Sequence, residues 1–333
     1  MASSSSSSKG GRRGLRAVFA AAALVGTYYV MAPAEQSLGP DNDFGPNPVQ
    51  QEFIRLVAQK YDYTLLGDTH HARARIGMFA THKDSVAAMA AGGDTRLFLE
   101  AGPGAQKYFD AVAQGSDKPE NFSYRWADRN MWLCGADVKE AYNVNFEQSL
   151  SQNPDVKFTG VDQRHAAGTD ANAAMDSTVF KLAIGVPLVA YQLTYGCVTE
   201  KAFIPGAIVL ALTGQAEQVF DSLIDDRDTT NQILSYPEKG GTIFYGAGHF
   251  GDKEGVIKGL LQERGYSVGH VNVYLDAKDA QNSIEPEENV PASLYVDEGD
   301  GDGIHTTTPE MAELHRQAVE NVKRGGPAPF PAI

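Results

Sequence analysis

A short apolar, β-prone run that empties into a polar loop and is followed by a helical pattern recurs along this chain, and that alternation restricts its fold more than any other feature. The clearest copy is Tyr63-Thr-Leu-Leu-Gly-Asp-Thr-His-His71. Tyr63 to Leu66 suits a strand, Gly67 ends it, and an acid, a hydroxyl and two imidazoles follow at once. Behind them, Ala74 to Ala91 places Ile76, Phe79, Val86 and Met89 at helical spacing. The same order returns at Arg96-Leu-Phe-Leu-Glu100, where Gly102-Pro-Gly104 leads into a helix through Tyr108, Phe109 and Val112. It returns again at Val156 to Val161, behind a helix from Ala136 to Gln152, and the strand exits into Asp162-Gln-Arg-His165. Thr242-Ile-Phe-Tyr245 opens into Gly246-Ala-Gly-His249, and a helix from Lys253 to Arg264 precedes a last strand, Ser267 to Leu275. A further helix, Asn47-Pro48 to Lys60, stands in front of the series, with proline at a favoured first helical position. Strands that alternate with helices predict an α/β fold of parallel strands with flanking helices, in which ligands bind in the crevice outside the carboxyl ends of the strands.

The 333 residues, 42% of them hydrophobic, are enough to bury one large α/β domain or two fused halves. The formal net charge is −14 and becomes more negative when the basic N-terminal segment is set aside, which argues against a nucleic-acid partner. In that segment, Lys9, Arg12, Arg13 and Arg16 precede the apolar run Ala17 to Met31 and Ala32-Pro-Ala34. Residues 1–34 therefore predict a secretory signal peptide or an uncleaved signal anchor, with export to a periplasmic or secreted location and membrane association through residues 17–34. Cys134 and Cys197 suit one disulfide in an oxidising compartment or two separate thiols. Residues 35–60 read as linker and first helix, 61–275 as the α/β body, and 276–333 as an acidic, irregular extension. Within the body, residues 117–135 form an aromatic insertion that holds both tryptophans, Trp126 and Trp132, and suits either a lid over an apolar ligand or a satellite cluster sealing the core. In the extension, Glu298, Asp300, Asp302 and Gly303 have calcium-loop spacing, but Pro309 falls where the last ligand belongs.

One spacing occurs twice: Gly67-Asp-Thr-His70 and Gly246-Ala-Gly-His249 both follow an apolar strand directly. The repetition predicts two related halves, each bringing one imidazole to a shared crevice where Asp68, Glu100 and Asp162 stand at strand exits. An imidazole titrates near neutrality and can take a proton from water, while a carboxylate orients it. His70, Glu100, His249 and Asp162 are also donors suited to zinc, manganese or iron. His70 and His71 are adjacent and diverge in an extended segment, so one of the two belongs to the site.

Leu65-Leu-Gly-Asp-Thr-His70, Leu97-Phe-Leu-Glu100, Arg227-Asp228 and Tyr245-Gly-Ala-Gly-His249, in this order, resemble the superfamily that joins ChaN-type haem-binding proteins, erythromycin esterases and Tiki/TraB-type proteins. The resemblance spans roughly Tyr61 to Leu275. It implies a pocket at the strand ends in which Asp68 replaces the usual glutamate, shorter by one methylene. His70 matches the ChaN and Tiki spacing, His71 the esterase spacing, and Arg227 the basic residue before the final strand. Two functions follow for a small-molecule ligand or substrate. In a haem-binding protein, tyrosines or histidines ligate the iron, Arg73 or Arg75 meets propionates, and Trp126 and Trp132 cover the macrocycle. In a hydrolase, metal-dependent or not, His70 or His71 activates water, Glu100 and Asp68 orient it, and His249 with Arg227 stabilises developing negative charge.

Overall fold

The computed structural model describes residues 47–68, 82–115, 136–163, 226–237, 240–251, 255–274, 276–277, 280, 289–296 and 301–325. Asn47 caps the first helix, α1 (Pro48–Lys60): its side-chain oxygen accepts from the N–H groups of Val49 and Gln50, and the Gln50 side chain accepts from the Asn47 N–H. There follow β1 (Tyr63–Asp68), α2 (His82–Gly92), β2 (Arg96–Leu99), α3 (Gln106–Ala113), α4 (Ala136–Gln152) and β3 (Lys157–Gly160). The second half of the body holds α5 (Arg227–Leu234), β4 (Gly241–Gly246), α6 (Ile257–Glu263) and β5 (Val268–Tyr274). The sixth helix is shorter than the spacing predicts, beginning only after Gly255, which turns the chain at φ +83°.

The described strands form one sheet in the order β3-β2-β4-β1-β5, continued by β6 (Ala292–Tyr295) and β7 (Ile304–Thr306). All neighbours are parallel except β6 and β7. The expected irregular extension after residue 275 is thus corrected: β6 pairs with β5, and the final helix, α7 (Pro309–Lys323), packs on α1. Thr308 caps α7 by accepting from Met311 N–H, and Pro309, which breaks the calcium-loop pattern, is the first residue of this helix. Asp302 receives the ring of His315 at 2.7 Å and the N–H of Ile304 at 3.2 Å, so its carboxylate serves the fold.

Parallel strands bury both faces, and side chains two apart line the same one. On one face Leu66, Leu97, Leu99, Phe244, Val271 and Val273 meet α1, α2, α3, α4 and α7 through Phe53, Met89, Phe109, Phe146 and Leu314. On the other, Tyr63, Leu65, Phe98, Ile243 and Tyr245 meet α5 and α6 through Ile233, Ile257 and Leu261. Among the described residues no helix is long and apolar enough to cross a membrane.

Gly241 is required where β4 begins. Its φ is +135°, and a Cβ there would lie 2.6 Å from the backbone oxygen of Arg96, an atom fixed by the strand pairing. Gly241→Ala combines backbone strain with a clash that no rotamer relieves, and is expected to cost about 3 kcal/mol. Denaturant unfolding of the two proteins, read at unchanged m-value, checks it.

Candidate functional site at the carboxyl edge of the sheet

The register aligns the strand exits. Asp68 pairs with Gly246 of β4 and Val273 of β5, while Leu99 lies between Phe244 and Gly160. The chain leaves β1 for helices on one face of the sheet and leaves β4 for a helix on the other. Adjacent parallel strands whose connections part to opposite faces open a crevice between their carboxyl ends, and here those strands are β1 and β4.

At the β4 exit, Gly246 leads into a 3-10 turn, Ala247–His249, closed by the N–H of Phe250 donating to Ala247 O at 2.9 Å. The His249 ring packs edge-on to Tyr245, with centroids 5.0 Å apart and planes at 80°. Its Nδ1 lies 2.8 Å and 3.0 Å from the two carboxylate oxygens of Asp226. Asp226 is 0% exposed and is itself fixed: its N–H donates to Gly255 O at 3.0 Å, and its C=O accepts from Thr230 N–H at 2.7 Å in the first turn of α5. A buried carboxylate on Nδ1 sets the tautomer and leaves the chemistry of the ring to Nε2. The imidazole side chain retains 13% exposure.

Glu100, at the β2 exit, accepts the N–H of Gly246 at 2.9 Å and donates its own N–H to Phe244 O at 3.2 Å, which binds the β2 exit to the top of β4. The β2 and β3 exits meet backbone to backbone, because Gly160 has no side chain to hold them apart: a Cβ there would lie 2.8 Å from Ala101 O. Asp162 follows, fully buried, its N–H donating to Ala101 O at 2.9 Å. The next residue, Gln163, donates its N–H to the Thr229 hydroxyl at 3.4 Å and so brings α5 over this end of the sheet.

Four of the sequence-derived site residues therefore lie on the described part of this edge with their side chains in view. Glu100 and His249 flank the top of β4, Asp162 is sealed behind the β3 exit, and Arg227 is an exposed residue opening α5. Asp68 ends β1 beside Gly246. His70, His71, Arg73, Trp126 and Trp132 lie outside the described residues, as do Cys134 and Cys197. Among the described residues no three His, Cys, Asp or Glu side chains gather as a metal ion requires, so Glu100, Asp162 and His249 do not make a metal centre by themselves.

No protein-family model, curated protein or solved structure matches this chain.

The residue that sequence reasoning missed is Asp226. It sits in Asp225-Asp-Arg-Asp228, a run that reads as a solvated helix face, and its neighbour Arg227 takes the attention there. Among the described residues of the run Asp226 is buried, Asp228 is exposed, and Asp226 reaches the histidine. A single sequence carries no signal separating it from Asp225 or Asp228.

Proposed function

We propose that this chain is an exported, ChaN-like α/β protein, built of two related halves, that hydrolyses a small-molecule ester or amide in the crevice between the β1 and β4 exits, as the erythromycin-esterase branch of that superfamily would. The observation that carries this is the Asp226–His249 pair, a buried carboxylate on Nδ1 of an imidazole at the topological switch point. A carboxylate held this way stabilises the imidazolium formed when Nε2 takes a proton.

In this reading His249 Nε2 removes a proton from water as the water oxygen bonds to the carbonyl carbon. The imidazolium then returns that proton to the departing alcohol or amine as its bond to carbon breaks. Glu100 holds the β4 turn through the Gly246 N–H. That N–H is occupied, so hydrogen bonds to the developing oxyanion come from another group, and the segment after Asp68, with His70 and His71, is the nearest in chain order.

The purified full-length chain is expected to hydrolyse activated esters in a panel of acyl-chain lengths. His249→Ala is expected to lower that rate by about 10²- to 10⁴-fold at a similar melting temperature. The same preparation, titrated with haemin and analysed for bound metal, decides against the alternatives. A Soret shift without hydrolysis would replace this reading with haem binding. Stoichiometric metal lost together with activity on His70→Ala would replace the metal-free base with metal-dependent hydrolysis.

A further inference from the structure

Beneath the crevice, β5 carries three polar side chains on one face: His270, Asn272 and Tyr274, all buried. They are joined in a line. His270 Nε2 donates to Asn272 Oδ1 at 2.9 Å, and Asn272 Nδ2 donates to the Tyr274 hydroxyl at 3.1 Å. Phe250, one residue beyond His249, packs edge-on to the His270 ring with centroids 5.5 Å apart. Asn272 is the register partner of Gly67, and its amide lies over the β1 backbone in the space a side chain at Gly67 would fill. A methyl group on Gly67 would stand 1.9 Å from Asn272 Oδ1, 2.9 Å from its Cγ and 3.2 Å from the Cβ of Ala247. One small region thus brings together the amide of β5, the β1 residue before Asp68, and the first residue of the turn that presents His249.

We propose that Asn272 is a positioning residue for the crevice: its amide, held from both sides by His270 and Tyr274, sets the height at which the end of β1 stands relative to the His249 turn. This rests on the hydrolytic reading above for its catalytic consequence, though not for its geometry. Asn272 is wholly buried and does not touch substrate. It acts through Gly67, and the hydrogen bonds at each end of the amide hold it in place over the β1 backbone. A displacement near 1 Å in such a supporting contact is enough to cost a reaction about 100-fold.

The test is a double-mutant cycle at Gly67 and Asn272 in the full chain. Gly67→Ala alone is expected to lower the melting temperature by about 5 °C or more, because the methyl group meets a fixed amide. Asn272→Ser alone also destabilises, by removing two buried hydrogen bonds. The double variant is expected to melt within about 2 °C of Asn272→Ser, since serine leaves room for the methyl group. In that double variant, stability is decoupled from position, and kcat is expected to stay at least about tenfold below wild type with KM within about twofold. Additive losses in melting temperature would overturn the proposal, as would a double variant with wild-type kcat. If the wild-type chain hydrolyses nothing, the function above fails, and the stability coupling alone decides the geometric claim.

Discussion

Asp226→Asn is expected to lower turnover by about 10³- to 10⁴-fold while leaving the melting temperature within a few degrees of wild type. The substitution keeps the size and shape of a fully buried side chain and changes what it offers His249 Nδ1. A carboxylate accepts an N–H there, which places the lone pair of the neutral ring on Nε2. An amide can present its NH₂ instead, and the ring then holds its proton on Nε2 and can no longer accept one. Carboxylate-to-amide changes of this kind cost about 10⁴-fold where the pair drives acyl transfer. A second effect is the loss of the negative charge that stabilises the imidazolium. Steady-state kinetics with activated esters, beside thermal melts, checks the prediction. A fall below tenfold in a folded variant would mean that the pair serves structure alone.

Asp94 is expected to make stability fall as pH rises, in the opposite sense from most carboxylates. It lies at the amino edge of the sheet, nearly enclosed, and accepts the Thr242 hydroxyl at 2.5 Å. Burial pushes its pKa up to about 7, against the pull of that hydrogen bond. The native state therefore keeps the proton between about pH 4 and 7 while the unfolded chain has lost it, so the unfolded state binds fewer protons and stability declines through this window. The contribution is fully present below the unfolded pKa and is gone above the folded one. Its span is on the order of 4 kcal/mol. Asp94→Asn stays neutral throughout, so its melting temperature is expected to exceed that of wild type at pH 8 by more than at pH 5. Equal differences at the two pH values would assign the pH dependence to other groups.

The strand exits were legible because each apolar run stops at glycine or at an acid, a boundary that single-sequence patterns mark well. Glu100, Asp162 and His249 stand where that rule puts them, on one edge of one sheet, whereas β1 runs on through Gly67, where the pattern ends it, to Asp68. The C-terminal elements were less legible. Ala292-Ser-Leu-Tyr295 is too short for its period to show, and α7 buries only Met311, Leu314 and Ala318 along an otherwise charged helix. The sequence nonetheless carries the cap, since Thr308-Pro-Glu310 is a helix start whose proline also falls where a calcium loop needs its last ligand. His270, Asn272 and Tyr274 alternate with valines, a pattern that ordinarily means one wet face. In a strand flanked by parallel neighbours and covered on both sides, such alternation means the polar side chains satisfy one another. The Asp226–His249 contact joins residues 23 positions apart and depends on how α5 approaches the sheet, which no local pattern encodes.

The capped start of α1 has a consequence for the molecule as a whole. Because α1 runs back antiparallel to β1, Asn47 lies at the carboxyl edge, where its side chain donates to Asp302 O and the neighbouring Gln50 donates to Tyr295 O at the end of β6. The described chain thus begins at the rim on which the crevice opens.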